Sequence, residues 1–84
     1  MRTISWARPA VKDLKRLDKK DVLRVRTALN QFAAKGIGDV RKLKTFTDEY
    51  RLRIGSIRVR FISNDQELTI TVLRVLQRDE IYKR

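Results

Sequence analysis

The chain has 84 residues, with 21 lysines and arginines against 10 acidic residues and a formal net charge of +11. A single domain of this size buries only about 60–65 % of its unfolded surface, so an enclosed catalytic chamber is excluded and any site lies on an open face or in a shallow groove. It contains no cysteine and no histidine, which removes a disulfide framework, the commonest metal ligand and the commonest general base; a metalloenzyme, a Ser-His-Asp hydrolase and a two-histidine ribonuclease are not expected.

The N-terminal residues carry no long apolar run, unlike a signal peptide, and no stretch approaches the roughly 20 apolar residues of a membrane span; a reducing cytoplasm is the expected compartment. Residues 2–6 read as a short strand, in which Ile4 and Trp6 alternate with Thr3 and Ser5. Pro9 suits a first helical turn. From Ala10 to about Leu17, Val11, Leu14 and Leu17 recur at helical spacing, and Lys12, Asp13, Lys15 and Arg16 form the solvated face. Asp18 or Asp21 can cap a second helix from about Lys20 to Lys35, which carries Val22, Leu23, Val25, Leu29, Phe32 and Ala33 and stops at Gly36. The short joint predicts an antiparallel helical hairpin. Its apolar stripes read as core, not as a cofactor site.

Gly36 to Asp39 reads as a loop, and Val40 to Phe46 as an irregular stretch or a weak strand. Three strands follow: Tyr50–Ile54, Ile57–Ser63 and Glu67 to about Leu76. Gly55-Ser56 has glycine where a two-residue type II′ hairpin requires it, and Asn64-Asp65 forms the next turn. The two-residue loop fixes the register. It sets Arg53 against Arg58 and Arg51 against Arg60, so that Tyr50, Leu52, Ile54, Ile57, Val59 and Phe61 share the core face. Continued alternation places Leu68, Ile70 and Val72 in the core and Thr69, Thr71, Leu73 and Val75 beside the arginines. The tail from Gln77 to Arg84 is polar, with one isoleucine and one tyrosine.

Arginines opposed across a hairpin repel, at some tenths of a kcal/mol or more per pair. Alternating lysine and glutamate would solvate the same face without that cost. Arginine is also the side chain suited to bidentate phosphate contacts and to stacking on bases. Together with the net charge, the pattern points to a polyanion, with nucleic acid ahead of an acidic protein and an anionic membrane.

The run Leu43-Lys44, then Tyr50 to Phe61, then Ile70 to Val75, then Arg78-Asp-Glu-Ile-Tyr82 resembles the RelE/ParE superfamily of type II toxins, over essentially the whole chain. The resemblance implies a single α+β domain over residues 1–84, in which an N-terminal strand and a two-helix hairpin pack on a small, mainly antiparallel, four-stranded sheet. RelE-like members are mRNA interferases acting on the ribosome, whereas ParE-like members inhibit DNA gyrase. The RelE pattern implies catalytic roles at Arg53, Arg58, Arg78 and Tyr82, and RNA or phosphate binding at Lys44, Arg51 and Arg60. The implied reaction is metal-independent: the ribose 2′-OH attacks the adjacent phosphorus and leaves a 2′,3′-cyclic phosphate. The implied partners are mRNA on the ribosome, an acidic cognate antitoxin, and operator DNA through the antitoxin complex alone, with no membrane and no cofactor. A gyrase inhibitor and a non-enzymatic RNA- or ribosome-binding module stand as alternatives.

The chain departs from the pattern at one chemically important place. The position matching Arg53 is a lysine proposed as general base, and arginine does not lose its proton in proteins. Lys44, Tyr82, and Glu80 or Glu49 are the substitutes considered. Leu76-Gln77 also replaces the family's glycine and basic residue before the terminal arginine.

Overall fold

A computed structural model describes residues 2–42 and 48–77. The chain forms β1 (Thr3–Trp6), α1 (Arg8–Lys15), α2 (Lys19–Lys35), β2 (Asp39–Lys42), β3 (Glu49–Ile54), β4 (Ile57–Asn64) and β5 (Thr69–Gln77). The strands make one sheet in the order β1-β5-β4-β3-β2, antiparallel throughout except where β1 runs parallel to β5. The α+β architecture is as expected, with five strands in the sheet rather than four. The additional pairing comes from Asp39–Lys42, the last residue of the expected loop and the first three of the Val40–Phe46 stretch read as irregular chain or weak strand, which add to the edge of β3. Among the described residues no helix is long and apolar enough to cross a membrane.

Both helices cover the same face of the sheet. Pro9 stands in the first turn of α1, Asp18 is the residue before α2 although its side chain makes no capping hydrogen bond, and Gly36 ends α2 in the left-handed conformation. The helices draw their main contacts from the sheet rather than from each other, α1 from β5 and α2 from β1 and β3. Val25, Leu29 and Ala33 of α2 are buried at four-residue steps, on one helix face. They meet Leu52, Val59, Phe61, Ile70 and Val72 from the sheet. Phe61 is fully buried between Phe32 and Tyr50, with ring centroids 5.3 and 5.6 Å away. Each such large apolar side chain contributes about 1.5–3 kcal/mol by leaving water.

The β3–β4 register is the one predicted, from Ile54 opposite Ile57 to Tyr50 opposite Phe61. Gly55 has φ +59 while Ser56 keeps a negative φ, as a type II′ turn requires. Three expectations need correction. Asp13, assigned to the wet face of α1, is 4 % exposed, while Val11, assigned to the core, is 40 % exposed. The inward face of α1 is instead formed by Ala10 and Asp13, with Leu14 packed beside them. Leu68 adopts φ +54 in the β4–β5 turn and is 54 % exposed, so β5 begins at Thr69 rather than Glu67 and Leu68 is not core.

The third correction concerns β5. Arg60 pairs with Arg74, but Phe61 pairs with Val72, so Leu73 is an extra residue in a β-bulge. Unbroken alternation would have turned Arg74 into the core and Val75 out. The bulge reverses both: Val75 is 2 % exposed and packs in the core, and Arg74 joins the arginine face.

Candidate functional site

The face of the sheet away from the helices is organised in rows, because residues opposite one another across antiparallel strands point the same way. One row crosses β2, β3, β4 and β5 as Asp39, Arg53, Arg58 and Leu76. The next row is Arg41, Arg51, Arg60 and Arg74. Asp39, Arg41, Arg51, Arg53 and Arg58 line one concavity of about 140 Å³. Strand pairing alone thus gathers four guanidinium groups and one carboxylate into an open, shallow site.

The arginines are held differently. Arg60 donates from Nε at 2.7 Å, and also from Nη2, to Oε2 of Glu49. Its charge is therefore matched on the protein, and it is less available to an outside anion than the register suggests. Arg74 turns to the sheet edge, where Nε and Nη2 donate to Asp13 at 2.8 and 3.1 Å. Arg58 donates from Nη1 to the backbone oxygens of Gly55 (2.8 Å) and Ile57 (3.2 Å). That anchors the guanidinium over the hairpin turn and leaves Nε and Nη2 directed elsewhere. The guanidinium groups of Arg41, Arg51 and Arg53 make no hydrogen bond or ion pair with any described residue. Among the described residues the site thus presents one anchored guanidinium and three without a partner, an arrangement suited to the oxygens of a phosphate.

Of the residues expected in the site, Arg51, Arg53 and Arg58 are brought together and Arg60 stands beside them in an ion pair. Lys44, Arg78, Tyr82 and Glu80 lie outside the described residues. Glu49 is on the same sheet face, opposite Ile62 and engaged with Arg60. Sequence reasoning missed Asp39 and Arg41. Their two-residue spacing was visible, but their membership of this face depends on the pairing of β2 with β3, which no turn between them dictates. A second concavity, of about 500 Å³, lies between the helices, with Leu14, Leu17, Val22 and Leu23 as apolar lining and Lys15, Lys19 and Arg26 as basic lining.

Residues 4–82 match the family described as the ParE toxin of type II toxin-antitoxin systems, parDE. The chain belongs to this toxin family. Its fold is that of solved toxins from the wider RelE/ParE superfamily. In the RelB-RelE antitoxin-toxin complex from Methanococcus jannaschii, the similar chain is 28 % identical with a TM-score of 0.76, covering 93 % of this chain and 94 % of that one. In the archaeal RelE-RelB complex from Pyrococcus horikoshii OT3 the identity is 25 % and the TM-score 0.79, covering 92 % and 94 %. The isolated E. coli RelE toxin shares the fold at 15 % identity and a TM-score of 0.76, covering 92 % and 84 %. No curated protein shows significant similarity to the chain. The ParE-family toxin described here therefore combines a ParE sequence signature with a backbone shared with RelE toxins.

Proposed function

We propose that this toxin is an mRNA endoribonuclease acting on the ribosome, and that the concavity between β2, β3 and β4 receives the scissile phosphate. The observation that carries the proposal is the convergence of Arg41, Arg51, Arg53 and Arg58 on one open site. In the reaction the 2′-oxygen attacks the adjacent phosphorus, the bond from phosphorus to the 5′-oxygen breaks, and a 2′,3′-cyclic phosphate and a 5′-hydroxyl result. The 2′-OH gives up a proton and the 5′-oxygen takes one. Negative charge grows on the non-bridging oxygens, and fixed donors aimed at such charge supply the largest catalytic contribution in most sites of this kind. Arg58 is pre-positioned for that role by its bonds to the turn, with Arg53 beside it. Arg51 binds flanking phosphate, with Lys44, while Arg78 and Tyr82 supply a further cation and a stacking ring.

Expression of the toxin in growing cells, followed by primer extension on a translated message, tests the proposal. The wild type is expected to cut the message, and Arg58→Ala to lose about 10²–10³-fold in cleavage rate. Equal cleavage by Arg58→Ala would reject this placement of the phosphate. The ParE match favours a second reading, inhibition of DNA gyrase, which predicts an intact message with blocked supercoiling.

The proposed second partner is an acidic antitoxin segment that orders on binding. The groove between α1 and α2 supports this partner, because its leucines suit the apolar side of an amphipathic helix and its basic residues suit acidic flanks. Val75, expected beside the arginines, is core and takes no part in this contact.

A further inference from the structure

From the placement of Asp39 we infer that its carboxylate is the general base that takes the proton from the attacking 2′-OH. The inference rests on the ribonuclease reading above. It addresses the gap left by Arg53, which stands where a family lysine would act and cannot accept a proton.

Asp39 opens β2 with its Cα directly opposite Arg53, and Arg53 is opposite Arg58. Neighbouring antiparallel strands hold paired Cα atoms about 4.5–5.5 Å apart, so Asp39 lies about 10 Å from Arg58 across the row. A phosphate held by Arg53 and Arg58 therefore places its neighbouring ribose within side-chain reach of Asp39. A Cβ at Gly38 would come within 3.0 Å of Leu52 Cδ1, on the core face of the sheet, so alternation turns Asp39, the next residue, to the opposite face with the arginines.

Among the described residues Asp39 is the carboxylate that lines the concavity. It is exposed, and no described residue engages it in a hydrogen bond or ion pair. Glu49, the other acid on this sheet face, has Oε2 committed to two donors of Arg60 and lies beyond the arginine row. An ionised carboxylate is an acceptor only, which is what the first step needs. The balanced step is transfer of the 2′-OH proton to an Asp39 oxygen as the 2′-oxygen bonds to phosphorus. The departing 5′-oxygen takes its proton from solvent water, which the open site admits.

The test uses ribosomes programmed with a synthetic message and purified toxin, comparing wild type with Asp39→Asn, Asp39→Glu and Asp39→Ala under single-turnover conditions. Asp39→Asn is expected to cleave about 10²–10⁴-fold more slowly. It should bind single-stranded RNA at least as tightly as wild type, because a negative charge leaves a phosphate site. Asp39→Glu is expected to recover part of the rate. A message with sulfur in place of the scissile 5′-oxygen has a leaving group that needs no proton. The Asp39→Asn deficit should persist on it.

Disappearance of that deficit would make Asp39 the acid instead and overturn the inference. So would wild-type cleavage by Asp39→Asn, or a rate loss explained by lost RNA binding or lost folding. Those outcomes leave the ribonuclease reading intact as long as the wild type cuts. Failure of the wild type itself to cut would overturn that reading, and this inference with it.

Discussion

Burying a carboxylate is costly unless its lone pairs find donors, and Asp13 has three. Arg74 donates twice, and the backbone N–H of Val75 donates at 2.8 Å. The last contact falls where β1 has ended: its register with β5 stops at Trp6 opposite Val72. Asp13 therefore satisfies a strand edge that would otherwise lack a partner and ties α1 to β5. Asp13→Ala leaves that amide buried and unpaired. Arg74, with a side chain 39 % exposed, can turn to water, so the expected loss is about 1–3 kcal/mol rather than that of a fully buried pair. Urea denaturation measures it, and an unchanged midpoint would show that the contact contributes nothing. The same residue shows a limit of helical periodicity, which marks Asp13 as polar but cannot show that an arginine 61 positions away will meet it.

The β3–β4 hairpin was legible because its register depends on local chemistry. Glycine at Gly55 tolerates φ +59, the loop length sets the pairing, and the pairing sets the faces. Gly55→Ala is expected to destabilise the domain by about 1–2 kcal/mol through that backbone conformation. Its Cβ would approach only the flexible end of Arg24, at 2.7 Å, so calorimetry should show a lowered Tm with the fold retained. The β4–β5 register was not read correctly, although a signal was present: strict alternation from Val72 buries Arg74. A bulge at Leu73 avoids this by adding one residue. Val75→Asp tests the corrected facing. On an outer face it would be tolerated, whereas in the core it is expected to unfold the domain, as loss of the cooperative transition by circular dichroism.

A net charge of +11 opposes compaction through self-repulsion, and the sheet face shows how the repulsion is relieved locally. Glu49 matches Arg60, backbone carbonyls hold Arg58, and Asp13 draws Arg74 to the edge. Among the described residues of this face, the guanidinium groups without such a partner, those of Arg41, Arg51 and Arg53, surround the concavity, which suits phosphate binding better than folding. Binding of single-stranded RNA should therefore weaken steeply with salt. Replacing Arg51, Arg53 and Arg58 together with glutamine should reduce the slope of log affinity against log salt by about 2, at roughly 0.7 per phosphate contact. Fluorescence anisotropy over a salt series measures the slope, and an unchanged slope would place the RNA elsewhere.

By itself the sequence determined the two helices, the β3–β4 register and the single face shared by Arg51, Arg53, Arg58 and Arg60. Each of these follows from interactions among residues near one another in the chain: a repeat of 3.6, a repeat of 2, and a two-residue turn. The tertiary structure decided the rest, namely the bulge that buries Val75, the burial of Asp13, and the pairing of β2 with β3 that brings Asp39 and Arg41 to the arginines. These depend on contacts between segments distant in sequence, whose register is set by what must be buried across the whole sheet. Local patterning therefore found the cations of the site, and only the assembled sheet placed a carboxylate among them.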